Sequence, residues 1–152
     1  MYVAAMQDSF PHALELSKQG YNALALIYRS NADTAMEDLA RAVSYLHENA
    51  EELKIDMKSY SVWGGARMAA WLGSYGPEAF GESEYPRPAT VVMQYTGLSE
   101  VTGDEPPTYS CVGTNDGIAS YRTMERRTEA IRANGTDVEI QVFECLPHGF
   151  GL

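Results

Sequence analysis

Two residues of this chain have the types and the placement to handle a proton together. Asp116 stands in Val112-Gly113-Thr114-Asn115-Asp116-Gly117, and His148 in Phe143-Glu144-Cys145-Leu146-Pro147-His148-Gly149-Phe150. Each follows an apolar run that reads as a strand, and open parallel sheets bind ligands beyond the carboxyl ends of their strands. Taken singly, an Asp before Gly is a turn former or helix cap, and a His beside Pro and Gly is a loop residue. Taken together, they are separated by about one helix and one strand, which brings their loops side by side at one end of a sheet. A carboxylate that orients an imidazole is the arrangement a general base requires. A third strand end, Trp63-Gly64-Gly65, runs straight into a helix and opens onto the same rim.

The other reactive residue types argue against competing chemistries. His12, His47 and His148 lie far apart with no nearby comb of carboxylates, so no metal site is expected. Cys111 and Cys145 fall in or just after strand-like runs, where a free thiol behaves as a small hydrophobe. Reduced, structural cysteines point to a cytoplasmic protein. A net charge of −10, with Lys and Arg scattered, repels phosphate backbones and anionic lipid. Nucleic acid and membrane partners are therefore not expected, nor is a cofactor. No apolar run approaches the roughly 20 residues of a membrane-spanning helix. Residues 1–11 lack the basic and apolar regions of a signal peptide.

The elements that must position the reactive residues alternate. A helix starts at Asp8 or Ser9, carries Pro11 in its first turn and stops at Gly20. Ala23–Tyr28 is a continuous apolar run, as expected of a strand covered on both faces. Met36, Leu39, Val43, Leu46, Ala50 and Leu53 recur at helical steps, with Asp33 as the expected cap and Ser44 among the polar positions. Tyr60–Trp63 reads as a strand, Ala66–Tyr75 as a helix, and Gly76–Pro88 as a surface excursion. Thr90–Tyr95 and Thr108–Val112 are further strands. A helix presenting Tyr121, Met124, Thr128 and Ile131 ends at Asn134-Gly135, and Val138, Ile140 and Val142 alternate along a half-exposed edge strand. This rhythm predicts one α/β domain over residues 1–152: a mainly parallel sheet of about five strands with helices on both faces.

On the three motifs Val62-Trp63-Gly64-Gly65-Ala66-Arg67-Met68-Ala69, Gly113-Thr114-Asn115-Asp116-Gly117 and Leu146-Pro147-His148-Gly149-Phe150, the chain resembles the α/β-hydrolase superfamily, in its esterase/lipase-like branch. The resemblance runs over nearly all of the sequence. It implies a serine hydrolase of small carboxylic esters with the triad order Ser, Asp, His, in which Asp116 matches the acid and His148 the base. Gly64, Gly65 and Ala66 match what remains of the nucleophile elbow. In that family the elbow reads G-x-S-x-G, with the Ser on a strained turn at a helix N-terminus.

The departures are as specific as the match. Gly65 is followed directly by Ala66, as though Ser-Ala-Gly were excised. The family's first three strands, its Gly-rich oxyanion loop and its last helix have no counterpart, and Met1-Tyr2-Val3 begins where that loop would end. The third strand would lie between Ala23–Tyr28 and Tyr60–Trp63, so those two must leave a gap or pair directly. Other candidates are read as structural: Ser61 points into the helix layer, Ser74 lies at the far end of its helix, Tyr95 and Ser99 have no elbow, and Cys111 is mid-strand. The expectation is a crippled or inactive serine hydrolase. The alternative is a non-catalytic α/β-hydrolase-like binding module, and a flavodoxin-like phosphate binder is disfavoured because Tyr28–Asp33 makes a poor anion cradle. An uncovered strand edge predicts a homo-oligomer.

Overall fold

Four short apolar runs pair in parallel, in the order β1-β2-β3-β4. They are β1 (Ser61–Gly64), β2 (Thr90–Gln94), β3 (Thr108–Gly113) and β4 (Val138–Phe143). A computed structural model describes residues 9–64 and 67–150. The register sets Val62 beside Val91, Val91 beside Thr108 and Thr108 beside Val138, so these side chains share one face. Parallel neighbours need crossover connections. Helix α4 (Arg67–Tyr75) lies between β1 and β2, and α5 (Tyr121–Ala133) between β3 and β4.

The core grows from that shared face. Met36, Ala40 and Val43 of α2 (Ala32–Glu48) join Ala69, Ala70 and Leu72 of α4 over Val62, Val91 and Met93. Gly73 lets α4 sit close, because a Cβ there would stand 2.7 Å from the Val91 Cγ2. A second cluster gathers Tyr95, Cys111, Val112, Ala119 and Met124 near the β3–β4 end. Helix α1 (Phe10–Lys18) keeps Pro11 in its first turn and brings the His12 ring 6.4 Å from Trp63. Trp63 faces away from Val62 along the strand and is exposed.

Several local expectations are corrected. Ala23–Tyr28 belongs to no strand, and Leu24 and Ile27 are 63% and 52% exposed. An apolar run becomes a buried strand only where a neighbour takes up its backbone hydrogen bonds, and β1, at the sheet's margin, pairs with β2 alone. Among the described residues the sheet therefore has four strands where about five were expected, and Ala23–Tyr28 neither pairs with β1 nor forms an outlying strand. Asn31, not Asp33, caps α2, its Oδ1 accepting from the Asp33 and Thr34 amides at 2.9 and 3.4 Å. Ser9 already has helical backbone angles and makes no side-chain cap bond. The long helix is broken at Asn49, which separates α2 from the single turn α3 (Ala50–Leu53). Ser44 is buried, not on the polar side. Ser61 is exposed and accepts from the Trp63 Nε1 at 2.9 Å, because Val62 rather than Ser61 faces the core.

Candidate active site

The loops after β3 and β4 are stitched together before any reactive side chain is considered. Thr114 N donates to the Phe143 carbonyl at 2.9 Å and Asn115 N to the Leu146 carbonyl at 3.1 Å. In return Cys145 N donates to the Thr114 hydroxyl at 2.8 Å, and the Asn115 side chain reaches the Cys145 carbonyl at 3.3 Å. Gly113 makes the approach feasible: a Cβ there would collide with the Leu146 carbonyl oxygen. Cys145 pays for the tight turn with a left-handed backbone, φ +61°.

On this base the carboxylate of Asp116 has a different task for each oxygen. Oδ1 accepts from the Ile118 and Ala119 amides at 2.8 and 2.7 Å, the capping role its place before Gly predicts. Oδ2 lies 2.9 Å from the His148 Nδ1. The Asp116 side chain has no exposed surface, whereas that of His148 is 36% exposed. Burial pushes the Asp116 carboxyl up, but the two amides and the imidazole outweigh it and hold it below the usual carboxylate range. An ionised carboxylate can only accept, so Nδ1 carries the hydrogen, and in the neutral imidazole Nε2 then keeps the lone pair. That is the tautomer a general base needs.

Behind the imidazole stands a ring that sequence reasoning weighed only for its hydroxyl. Tyr95, just past β2, is buried and meets His148 edge-on with ring centroids 5.4 Å apart. Phe150 backs it at 4.8 Å. Nothing in the residue spacing signals this contact. Nor does spacing mark Thr114 and Asn115 as stitching residues, although Asn-Asp before Gly signals a bonded turn.

The third strand end is less complete. Gly64 closes β1, but Gly65 and Ala66 lie outside the described residues. The other candidate hydroxyls and thiols lie away from the pair or offer no elbow, and Cys145, expected as a small hydrophobe, is exposed. Ser74 is buried within α4, Ser99 is exposed on the loop after β2, and Cys111 is buried mid-strand with its thiol pushed up by burial. Among the described residues no cluster of three His, Cys, Asp or Glu could hold a metal ion. Among them, too, no helix is long and apolar enough to cross a membrane.

No family model and no curated protein matches the sequence. Solved structures do match. An α/β-hydrolase enzyme from a Medee basin deep-sea metagenome library superposes with a TM-score of 0.75 at 22% identity, over 94% of this chain and 63% of that one. An acetyl ester-xyloside bifunctional hydrolase from Caldicellulosiruptor lactoaceticus gives 0.82 at 20% identity, over 97% and 70%. The chain has an α/β-hydrolase fold. A thermophilic esterase from the Planctomycetes species Thermogutta terrifontis agrees, with a TM-score of 0.78 at 19% identity over 92% and 66%. The chain spans about two thirds of the length of these α/β-hydrolase structures.

Proposed function

We propose that this chain carries the acid–base half of a serine carboxylester hydrolase and turns over esters negligibly as it stands. The observation that carries the reading is the 2.9 Å bond from the His148 Nδ1 to the buried Asp116 carboxylate. The α/β-hydrolase fold and the hydrolase and esterase names of its structural neighbours support it. So does the third strand end, where the sequence runs Trp63-Gly64-Gly65-Ala66-Arg67 with no hydroxyl between strand and helix.

In a complete site of this kind, a serine hydroxyl gives its proton to the His148 Nε2 as its oxygen attacks the acyl carbon. Asp116 holds the ring in register and stabilises the imidazolium that forms. His148 then protonates the departing alkoxide, and water repeats the cycle on the acyl-enzyme. Removing the nucleophile of such a unit costs about six decades in kcat. A small carboxylic ester is the substrate class.

The test is to insert Ser-Ala-Gly between Gly65 and Ala66. The restored chain should hydrolyse 4-nitrophenyl acetate and take up a fluorophosphonate label, and His148→Ala should abolish both. The chain without the insertion should do neither. A restored chain that folds yet accepts no label sinks the reading, as does His148-dependent turnover by the chain as given.

A further inference from the structure

The loop that leaves β2 contains a backbone oddity next to the acid–base pair. Tyr95 holds φ +54°, one of three non-glycine residues in the left-handed region among those described. That conformation suits glycine and is strained for an aromatic residue. Strain of this kind persists where the surroundings over-determine it, and it concentrates at functional sites. Here the outlier has a visible product. The left-handed turn follows the Tyr95 amide's bond to the Cys111 carbonyl at 3.0 Å, and the side chain packs in the cluster beneath the pair.

A single hydrogen bond does not fix an imidazole. The bond from Nδ1 to Asp116 sets one direction but leaves the ring free to swing about it. Tyr95 meets His148 at an interplanar angle of 61°, an edge-to-face contact of the kind aromatic rings prefer. Phe150 stands against Tyr95 at 72° and against Phe143 with centroids 4.9 Å apart. The file of rings thus runs from β4 through Phe150 and Tyr95 to the imidazole. Gly149, at φ +72°, turns the chain so that His148 and Phe150 flank the same tyrosine.

We infer that Tyr95 is a positioning residue: its ring holds the His148 imidazole in the orientation that keeps Nδ1 on Asp116. Its catalytic meaning rests on the hydrolase reading, but the geometry is testable without turnover. In wild-type protein, proton NMR should show a low-field Hδ1 resonance for His148 and cross-relaxation between the Tyr95 and His148 rings. Tyr95→Phe keeps the ring and should keep both signals. Tyr95→Leu keeps bulk but no ring, and should lose the Hδ1 signal by exchange. In the Ser-Ala-Gly-restored chain, Tyr95→Leu should lower kcat about tenfold with KM within about twofold, and Phe should rescue it.

A Tyr95→Leu protein with an unchanged Hδ1 signal overturns the inference. If that variant does not fold, absence of cross-relaxation between the two rings in the wild type overturns it instead, and its presence with a preserved signal in Tyr95→Phe supports it. A restored chain without activity would strike at the hydrolase reading and leave these signals to decide the positioning role.

Discussion

The two margins of the sheet offer a controlled contrast within one molecule. At the β3–β4 margin, two loops exchange backbone and side-chain bonds, and a buried carboxylate meets an imidazole. At the β1 margin, a strand of four residues stands beside an apolar segment, Ala23–Tyr28, that joins no strand. Composition does not explain the difference. Ala23–Tyr28 is more continuously apolar than Val138–Phe143, which alternates with Glu139 and Gln141, yet only the latter is a strand. What differs, among the described residues, is a strand neighbour: β4 has β3 along its whole length, while the apolar segment is paired with no described strand. Hydrophobicity selects what is to be buried, but pairing decides whether it is.

The severest way to break the contrast is to disturb the ordered side. Glu105 accepts from the Thr102 amide and hydroxyl and the Gly103 amide, and lies 3.9 Å from the Arg127 guanidinium of α5. Both side chains are almost fully buried. Burial lowers the guanidinium's affinity for its proton, and Glu105 and Glu100 counter that. Glu105→Ala would strand that cation and those amides, and urea unfolding should show a loss of about 3–5 kcal/mol. A loss below about 1 kcal/mol would mean that the ordered margin does not depend on its buried ion pair.

A smaller effect sharpens the picture at the pair itself. Asp116→Asn preserves shape but removes the charge, and should cost about 1–2 kcal/mol at pH 7. Because the folded carboxyl is held below its ordinary range, its contribution is complete above about pH 4 and disappears as pH falls through the lowered folded value. Denaturation curves of wild type and variant should therefore converge in acid. Parallel curves down to pH 2 would show that no ionised pair forms.

The smallest effect belongs to the open side. Leu24→Ser should change stability by no more than about 0.5 kcal/mol, since the side chain is exposed already. A loss of about 2 kcal/mol would show Leu24 buried in solution. Gel filtration would then reveal whether a second copy covers that margin, the homo-oligomer that a bare strand edge predicts.

How much of this was legible beforehand follows the same line. The four strands could be read from their apolar runs, and the meeting of Asp116 with His148 followed from two loops on successive parallel strands. Local bonding, such as Asp116 accepting from the amides just after it, is written in turn chemistry. Burial of Ser44 and Arg127 was not legible, because a helix's sequence shows a polar residue and not what stands opposite it. The Tyr95 ring escaped for a similar reason: its contact depends on an unusual φ that no residue type announces. Ala23–Tyr28 misled because its own residues satisfy the strand pattern and the missing requirement lies in another segment.

The near-contact between Gly113 and the Leu146 carbonyl has a mechanical consequence. With no room for even a methyl group between them, and with hydrogen bonds running both ways across the seam, the two loops pack as one unit. Acid and base thus stand on a single bracket of two interlocked turns, and a side chain larger than hydrogen at position 113 would have to part them.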